Sequence, residues 1–274
     1  MYPGAADQMR HTQNFIDRRD LHSKILGIKS ASQHRKTMLR TLKQHSQRWI
    51  EGETFNFKTD SIAIAFKIIT RILLGDDYES KMEKFNYTDN YGEVSKLTFL
   101  EFYPRVMQDL FDALTDFKAF LFPMLNYWGL TKPHSTNIVN IKECWRVIGN
   151  FINKEIDNKF KDKDGNESNS LLKKVIDSEN IDLQTIKMDY LGIMLAAYET
   201  SAHIMLSSIY LLKRNPDKLL ILQKELKAYG VSQDSIDDDN EVLMDKIMEC
   251  EYLSYVTKEA LRMDPPIQFT LPYR

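Results

Sequence analysis

Apolar side chains return every three to four residues along most of this chain, while Gly and Pro gather between the periodic stretches, so the pattern predicts helices almost throughout. Thr59 to Leu74 carries Ile62, Ala65, Phe66, Ile69 and Leu73 on one helical face, and Gly75-Asp76-Asp77 stops it. Gln33 to Trp49 reads as a basic helix, Phe99 to Ala119 as another, and Ile141, Trp145, Ile148, Ile152 and Ile156 mark a further one. No strand-rich region, internal repeat, coiled coil or low-complexity tract is visible. The expected fold is mainly α, as one domain over residues 1–274.

The central helix carries the most information. From Asp189 to Arg214 the pattern supports about 26 helical residues, about 39 Å at 1.5 Å per residue. Leu191, Leu195, Tyr198, Ala202, Met205, Ile209 and Leu212 form one apolar stripe, and Ile193, Ala197, Thr200, Ile204 and Leu211 form a second, which predicts burial nearly all round. Such a helix is either a core element or a membrane span over 190–212, the second belonging to a helical membrane or adaptor protein. Glu199, Thr200, Ser201, His203, Ser207 and Ser208 argue against the span, because polar groups are costly in hydrocarbon. In a core, Ala196 and Ala197 let a neighbour approach the backbone, and Glu199 with Thr200 and Ser201 suits proton delivery beside a flat apolar ligand. Thr200 can also hydrogen-bond the carbonyl four residues back and bend the helix. The plainer alternative is a buried carboxylate with a structural partner, or an ordinary Glu199–His203 pair at i,i+4.

Composition narrows the classes. Of 274 residues 43% are hydrophobic and 28% charged, as in soluble globular proteins, and a net charge of −2 gives no general pull toward nucleic acid or anionic membrane. The charge is uneven: Arg10 to Arg48 holds ten Lys or Arg against Asp17 and Asp20, a candidate face for an acidic partner, and Gln233 to Glu241 is an acidic run expected to be a solvated loop. Nucleic-acid binding through the basic helix lacks aromatic interleaving and any recognised fold signature. Cys144 and Cys250 have no metal-ligand or disulfide-framework spacing, so a reducing compartment is expected, and no metal ligands are assigned. Asp162-Lys163-Asp164-Gly165 fails as a calcium loop, since Phe160 and Leu171 would occupy the first and last ligand positions. The amino end lacks a secretory pattern. Nine of the chain's 30 aromatic residues fall between Leu97 and Trp128, which suggests core packing, or else an apolar substrate passage or membrane-contacting lip around Phe120-Leu121-Phe122-Pro123.

Sixty residues after Glu199 comes a second signal. In Lys258-Glu259-Ala260-Leu261-Arg262-Met263-Asp264-Pro265-Pro266 a carboxylate and a guanidinium stand three apart on a helix that a double proline stops. Alone the pair is weak evidence. Its context is Glu251-Tyr252-Leu253 before it and Leu211-Leu212-Lys213-Arg214-Asn215-Pro216 through Leu222 and Glu225 between it and the central helix. This order resembles the cytochrome P450 superfamily of haem-thiolate monooxygenases, from about residue 20 to the end. Ala196 to Ser201 resembles the family's oxygen-site turn, and Glu259 and Arg262 its Glu-x-x-Arg helix; His22-Ser23-Lys24-Ile25 through Trp49, Gly52, Phe55 and on to Leu74-Gly75 resembles it more loosely.

The resemblance implies catalytic roles for Thr200, hydrogen-bonding dioxygen, and Glu199, relaying protons. Ala196, Ala197 and Thr200 would lie against haem, Arg274 would meet a haem propionate, and Glu259 and Arg262 would be scaffold residues. It further implies an apolar small-molecule substrate, O2 and an electron-donating reductase. The expected location is intracellular: the cytoplasmic face of the endoplasmic reticulum membrane for a eukaryotic parent, otherwise the cytoplasm, with any anchor lying upstream of Met1. Ala197 departs from the family's usual Gly. The early Trp-and-Arg helix and the downstream cysteine that ligates haem iron are unmatched, since only twelve residues follow Arg262. The expectation is therefore the central part of a P450 fold, an inactive fragment whose full-length parent binds haem, with the 259/262 charge set incompletely satisfied.

Overall fold

The computed structural model describes residues 33–52, 56–115, 132–161, 170–177, 183–232 and 241–267, with single positions at 19, 23, 27 and 168. The periodic stretches are helices: α1 (Arg35–Ile50), α2 (Phe57–Leu74), the short α3 (Tyr78–Lys81), α4 (Phe99–Thr115), α5 (Lys132–Asp157), α6 (Leu171–Ile176), α7 (Leu183–Arg214), α8 (Pro216–Ala228), α9 (Glu241–Glu249) and α10 (Glu251–Met263). Gly75 ends α2 in the left-handed region, φ +103°, where a side chain would be strained. Pro216 opens α8, a position that needs no amide proton. The residues group into two compact units, Met1–Leu73 with Leu191–Arg274, and Leu74–Tyr190.

In the first unit α1 and α2 are joined by polar contacts. His45 Nε2 and Trp49 Nε1 lie 3.2 and 3.1 Å from the Asp60 carboxylate, and Arg71 donates to Thr41 Oγ1 at 2.8 Å. Arg35 reaches Asp245 of α9 at 2.6 Å. Phe66 of α2 is fully buried and meets Tyr198 of α7 edge-on, 5.2 Å between ring centroids.

The second unit contains a feature the periodicity does not predict, an antiparallel hairpin of β1 (Phe85–Thr88) and β2 (Val94–Leu97) with Phe85 opposite Leu97 and Thr88 opposite Val94. Its turn holds Gly92 at φ +91°, and the Asp89 side chain accepts from the amides of Tyr91 and Glu93. Phe85 and Tyr87 point inward between exposed or half-buried neighbours and pack on Phe99 and Phe102 of α4, and Phe99 in turn meets Tyr103. Those aromatics are core; Phe111 is partly exposed, and Phe117 to Trp128, including Phe120 to Pro123, lie outside the described residues. The Asp162 to Gly165 stretch lies outside them too.

Two expectations for the central helix need correction. It starts at Leu183, six residues earlier than the pattern indicated. It is not buried all round: Met194, Tyr198, Ala202 and Ser207 are buried, whereas Gly192, Ala196, Glu199, Ser201, Ile209 and Tyr210 are exposed. An apolar stripe is buried only where another element covers it, and one face of this helix is uncovered.

Candidate functional site

One turn of α7 holds most of the candidate residues. Thr200 Oγ1 donates to the Ala196 carbonyl at 2.7 Å, the back-bond expected of a mid-helix threonine. The hydroxyl proton is therefore committed to the backbone, while the oxygen keeps capacity to accept. Ala196, Glu199 and Ser201 are exposed; Ala197 and Thr200 are half-buried. Beneath them Tyr198 faces the core, where burial first and the neighbouring Glu199 carboxylate second push its phenol above the usual tyrosine range. The result is an open strip with two methyl side chains, the Thr200 hydroxyl drawn against the helix, and the Ser201 hydroxyl and Glu199 carboxylate exposed. Such a strip can lie against one face of a flat apolar group.

The thiols do not extend that fit. Cys144 is buried within α5 of the second unit, where desolvation pushes its thiol far up. Cys250 is buried and donates its S–H to the Lys246 carbonyl at 3.3 Å, and burial with the Glu225 and Glu249 carboxylates raises its pKa. Both settings disfavour the thiolate that a metal ligand requires.

On α10, Glu259 and Arg262 form a two-pronged pair, each bond 2.7 Å, that holds the carboxyl below and the guanidinium above their ordinary values. Their side chains are 55% and 69% exposed, so water completes their hydrogen bonding and the pair adds little stability. Glu259 borders an apolar groove of about 380 Å³ together with Ser208, Leu211, Val256, Ala260 and Met263. Ser208 is eight residues beyond Thr200, about 12 Å along the helix, so the two signals are neighbours on one unit rather than one cluster. Arg274 lies outside the described residues.

Two contacts invisible to short-range motifs hold α10 at its ends. At its N-terminus the Glu225 carboxylate of α8 accepts the amide of Tyr252 at 2.8 Å and of Leu253 at 3.0 Å, satisfying two of the helix's orphan donors and complementing its dipole. At its C-terminus Asp264 receives His203 and Ser207 of α7. His203 Nε2 lies 3.2 Å from both the Asp264 carbonyl and its carboxylate, and the Ser207 hydroxyl donates to the same carboxylate. Both partners of Nε2 are acceptors, so that nitrogen carries the proton. His203 thus turns to Asp264 rather than forming the alternative i,i+4 pair with Glu199. Replacing Glu225 by Ala is expected to lower stability by about 1–2 kcal/mol, the scale of a lost N-terminal cap, measured as a reduced urea midpoint with unchanged m-value.

Among the described residues no helix is long and apolar enough to cross a membrane, which removes the support for a span over 190–212. The profile described as Cytochrome P450 matches residues 10–274. The chain belongs to the cytochrome P450 family. Cytochrome P450 52A1 of Candida tropicalis is 21% identical over 261 residues, covering 94% of this chain and 45% of that protein. Cytochrome P450 26B1 of Danio rerio is 32% identical over 85 residues, 31% of this chain and 17% of that one. Cytochrome P450 monooxygenase rdc4 of Metacordyceps chlamydosporia is 34% identical over 82 residues, 30% and 15% of the two chains. The chain spans less than half the length of these relatives. The mainly α architecture is that of the P450 family.

Proposed function

We propose that this chain supplies the oxygen-side helix and the Glu-x-x-Arg scaffold of a P450-type monooxygenase that inserts one oxygen atom of O2 into an apolar organic substrate, using electrons from a reductase. The observation that carries the reading is the turn 196–201, where small side chains, a half-buried hydroxyl and an exposed carboxylate share one uncovered face of a helix otherwise packed on Phe66. Haem, when bound, supplies the oxygen activation. Ala196 and Ala197 would lie against its plane, and Arg274 would reach a propionate. Glu199, open to solvent, takes up protons from water and passes them toward Thr200, whose own proton becomes available when its bond to the Ala196 carbonyl opens. Glu259 and Arg262 act as scaffold and carry out no proton transfer. Because the relatives are eukaryotic proteins, the expected location is the cytoplasmic face of the endoplasmic reticulum membrane.

Haemin titrated into the purified chain is expected to give a saturable, equimolar Soret change without the signature of thiolate ligation, since Cys144 and Cys250 are both buried as thiols. Ala197→Phe should weaken it about tenfold at unchanged far-UV circular dichroism, the scale of an overpacked contact. Absence of saturation, or equal affinity in the variant, overturns the reading.

A further inference from the structure

The two ends of α10 are tied to two different helices, and the tie at its C-terminus reaches the helix that carries Thr200. His203 and Ser207 stand four apart and share a face of α7. Both converge on Asp264, the residue that ends α10 immediately before Pro265 and Pro266. A single residue therefore presents two acceptors, its carbonyl and its carboxylate, to two donors separated by one helical turn. Sliding α10 along α7 by half a turn would break at least one of these bonds.

We propose that Asp264 is a positioning residue, which through His203 and Ser207 fixes the register of α10 along α7 and hence the height of the Glu259–Arg262 pair relative to Thr200. The inference goes beyond the haem reading and does not depend on it, because every group it uses belongs to this chain. Glu225 at the opposite end fixes where α10 begins. The Asp264 contact fixes which turn of α7 it meets. The Asp264 carboxyl is held below the ordinary range, by the Ser207 hydroxyl first and by His203 as well. His203 of α7 is the ionisable group acting on it across the contact, while on α10 itself Glu259 and Arg262 are bound to each other. A carboxyl with a depressed folded pKa adds stability above its unfolded value of about 3.9, and that contribution disappears as pH falls through the lower folded value.

The test uses the whole chain with spin labels on Gly192→Cys and Lys258→Cys. A side chain at 192 meets nothing within 4 Å, and the native thiols are buried. Pulsed dipolar measurements should give one narrow distance distribution, which shifts or broadens in Asp264→Ala. His203→Ala should produce the same change, and the double variant should be no worse than Asp264→Ala alone. Amide exchange should quicken about tenfold in residues 258–264 while α1 and α2 are unaffected. The stability gap between the native chain and Asp264→Asn should close as pH drops below 4. Should Asp264→Ala fail to fold, Ser207→Ala with His203→Gln provides the same distance readout. An unchanged distance distribution, additive effects in the double variant, or acceleration spread evenly over all helices overturns the proposal. Failure of haemin binding leaves these outcomes unchanged, so the two readings can fail separately.

Discussion

Replacing Lys81 by Met is expected to lower the stability of the second unit by about 3–5 kcal/mol, the range found when one member of a buried ion pair is removed. Lys81 Nζ lies 2.9 Å from the Asp77 carboxylate, 3.0 Å from the Glu155 carboxylate and 3.0 Å from the Lys161 carbonyl. The Glu155 side chain is only 3% exposed. Burial alone would lower the lysine's pKa, but the two carboxylates outweigh it and the net change is upward. For Glu155 burial prevails over the attraction of Lys81, so its carboxyl is raised. The two directions agree physically, since the more deeply buried partner bears most of the desolvation. Without Lys81, Glu155 would be a buried charge facing Asp77. A raised carboxyl favours the folded state below its unfolded pKa, and that contribution is lost as pH rises through the folded value. The defect in Lys81→Met should therefore be largest at neutral pH and shrink on acidification. Adding Glu155→Gln should restore most of it. Urea titrations at pH 7 and pH 5 measure both effects, and a neutral-pH loss under about 1 kcal/mol would contradict this account.

Phe102→Ala carries an expected cost of comparable size, about 3–5 kcal/mol. Phe102 is fully buried, stacks on Phe85 with centroids 4.5 Å apart and meets Tyr87 edge-on at 6.3 Å. The side chain is the link through which α4 holds the inner face of the hairpin. Its loss leaves a cavity and removes both aromatic pairs, each worth about 0.5–1.5 kcal/mol beyond its buried area. Near-UV circular dichroism and chemical denaturation should register the change together, and Phe102→Leu should recover more than half of the loss. Equal stability of the Ala variant would show that α4 does not anchor the hairpin.

Much of the helical framework is legible in the sequence because its apolar spacing is regular and its stops are chemical: Gly75 ends α2, and Pro265 with Pro266 follows the end of α10. The hairpin is not legible. Its strands are four residues each, and β2 is exposed at Val94, Ser95 and Lys96, so no alternation of period two stands out. Asn90-Tyr91-Gly92 between Tyr87 and Leu97 was the signal available. The beginning of α7 is hidden for a similar reason, since Thr185, Lys187 and Asp189 interrupt the apolar pattern. In the candidate site, the 196–201 turn and the Glu259–Arg262 pair are local motifs and can be read directly. The partners of Asp264 and of Tyr252 and Leu253 are 57 to 61 and 27 to 28 residues away, beyond any helical spacing rule. Exposure of one side of α7 also depends on what covers it, which its own residues do not encode.

The hairpin also carries a safeguard against misassociation. Asn140 of α5 receives the Thr88 amide at 2.8 Å and returns its own NH2 to the Thr88 carbonyl at 2.9 Å, imitating the next strand of a sheet. Glu143, one turn on, accepts the Asn86 amide at 3.0 Å. The outer rim of β1 is thus already occupied by side chains of its own unit, and a foreign strand seeking to extend the ladder finds its docking groups taken.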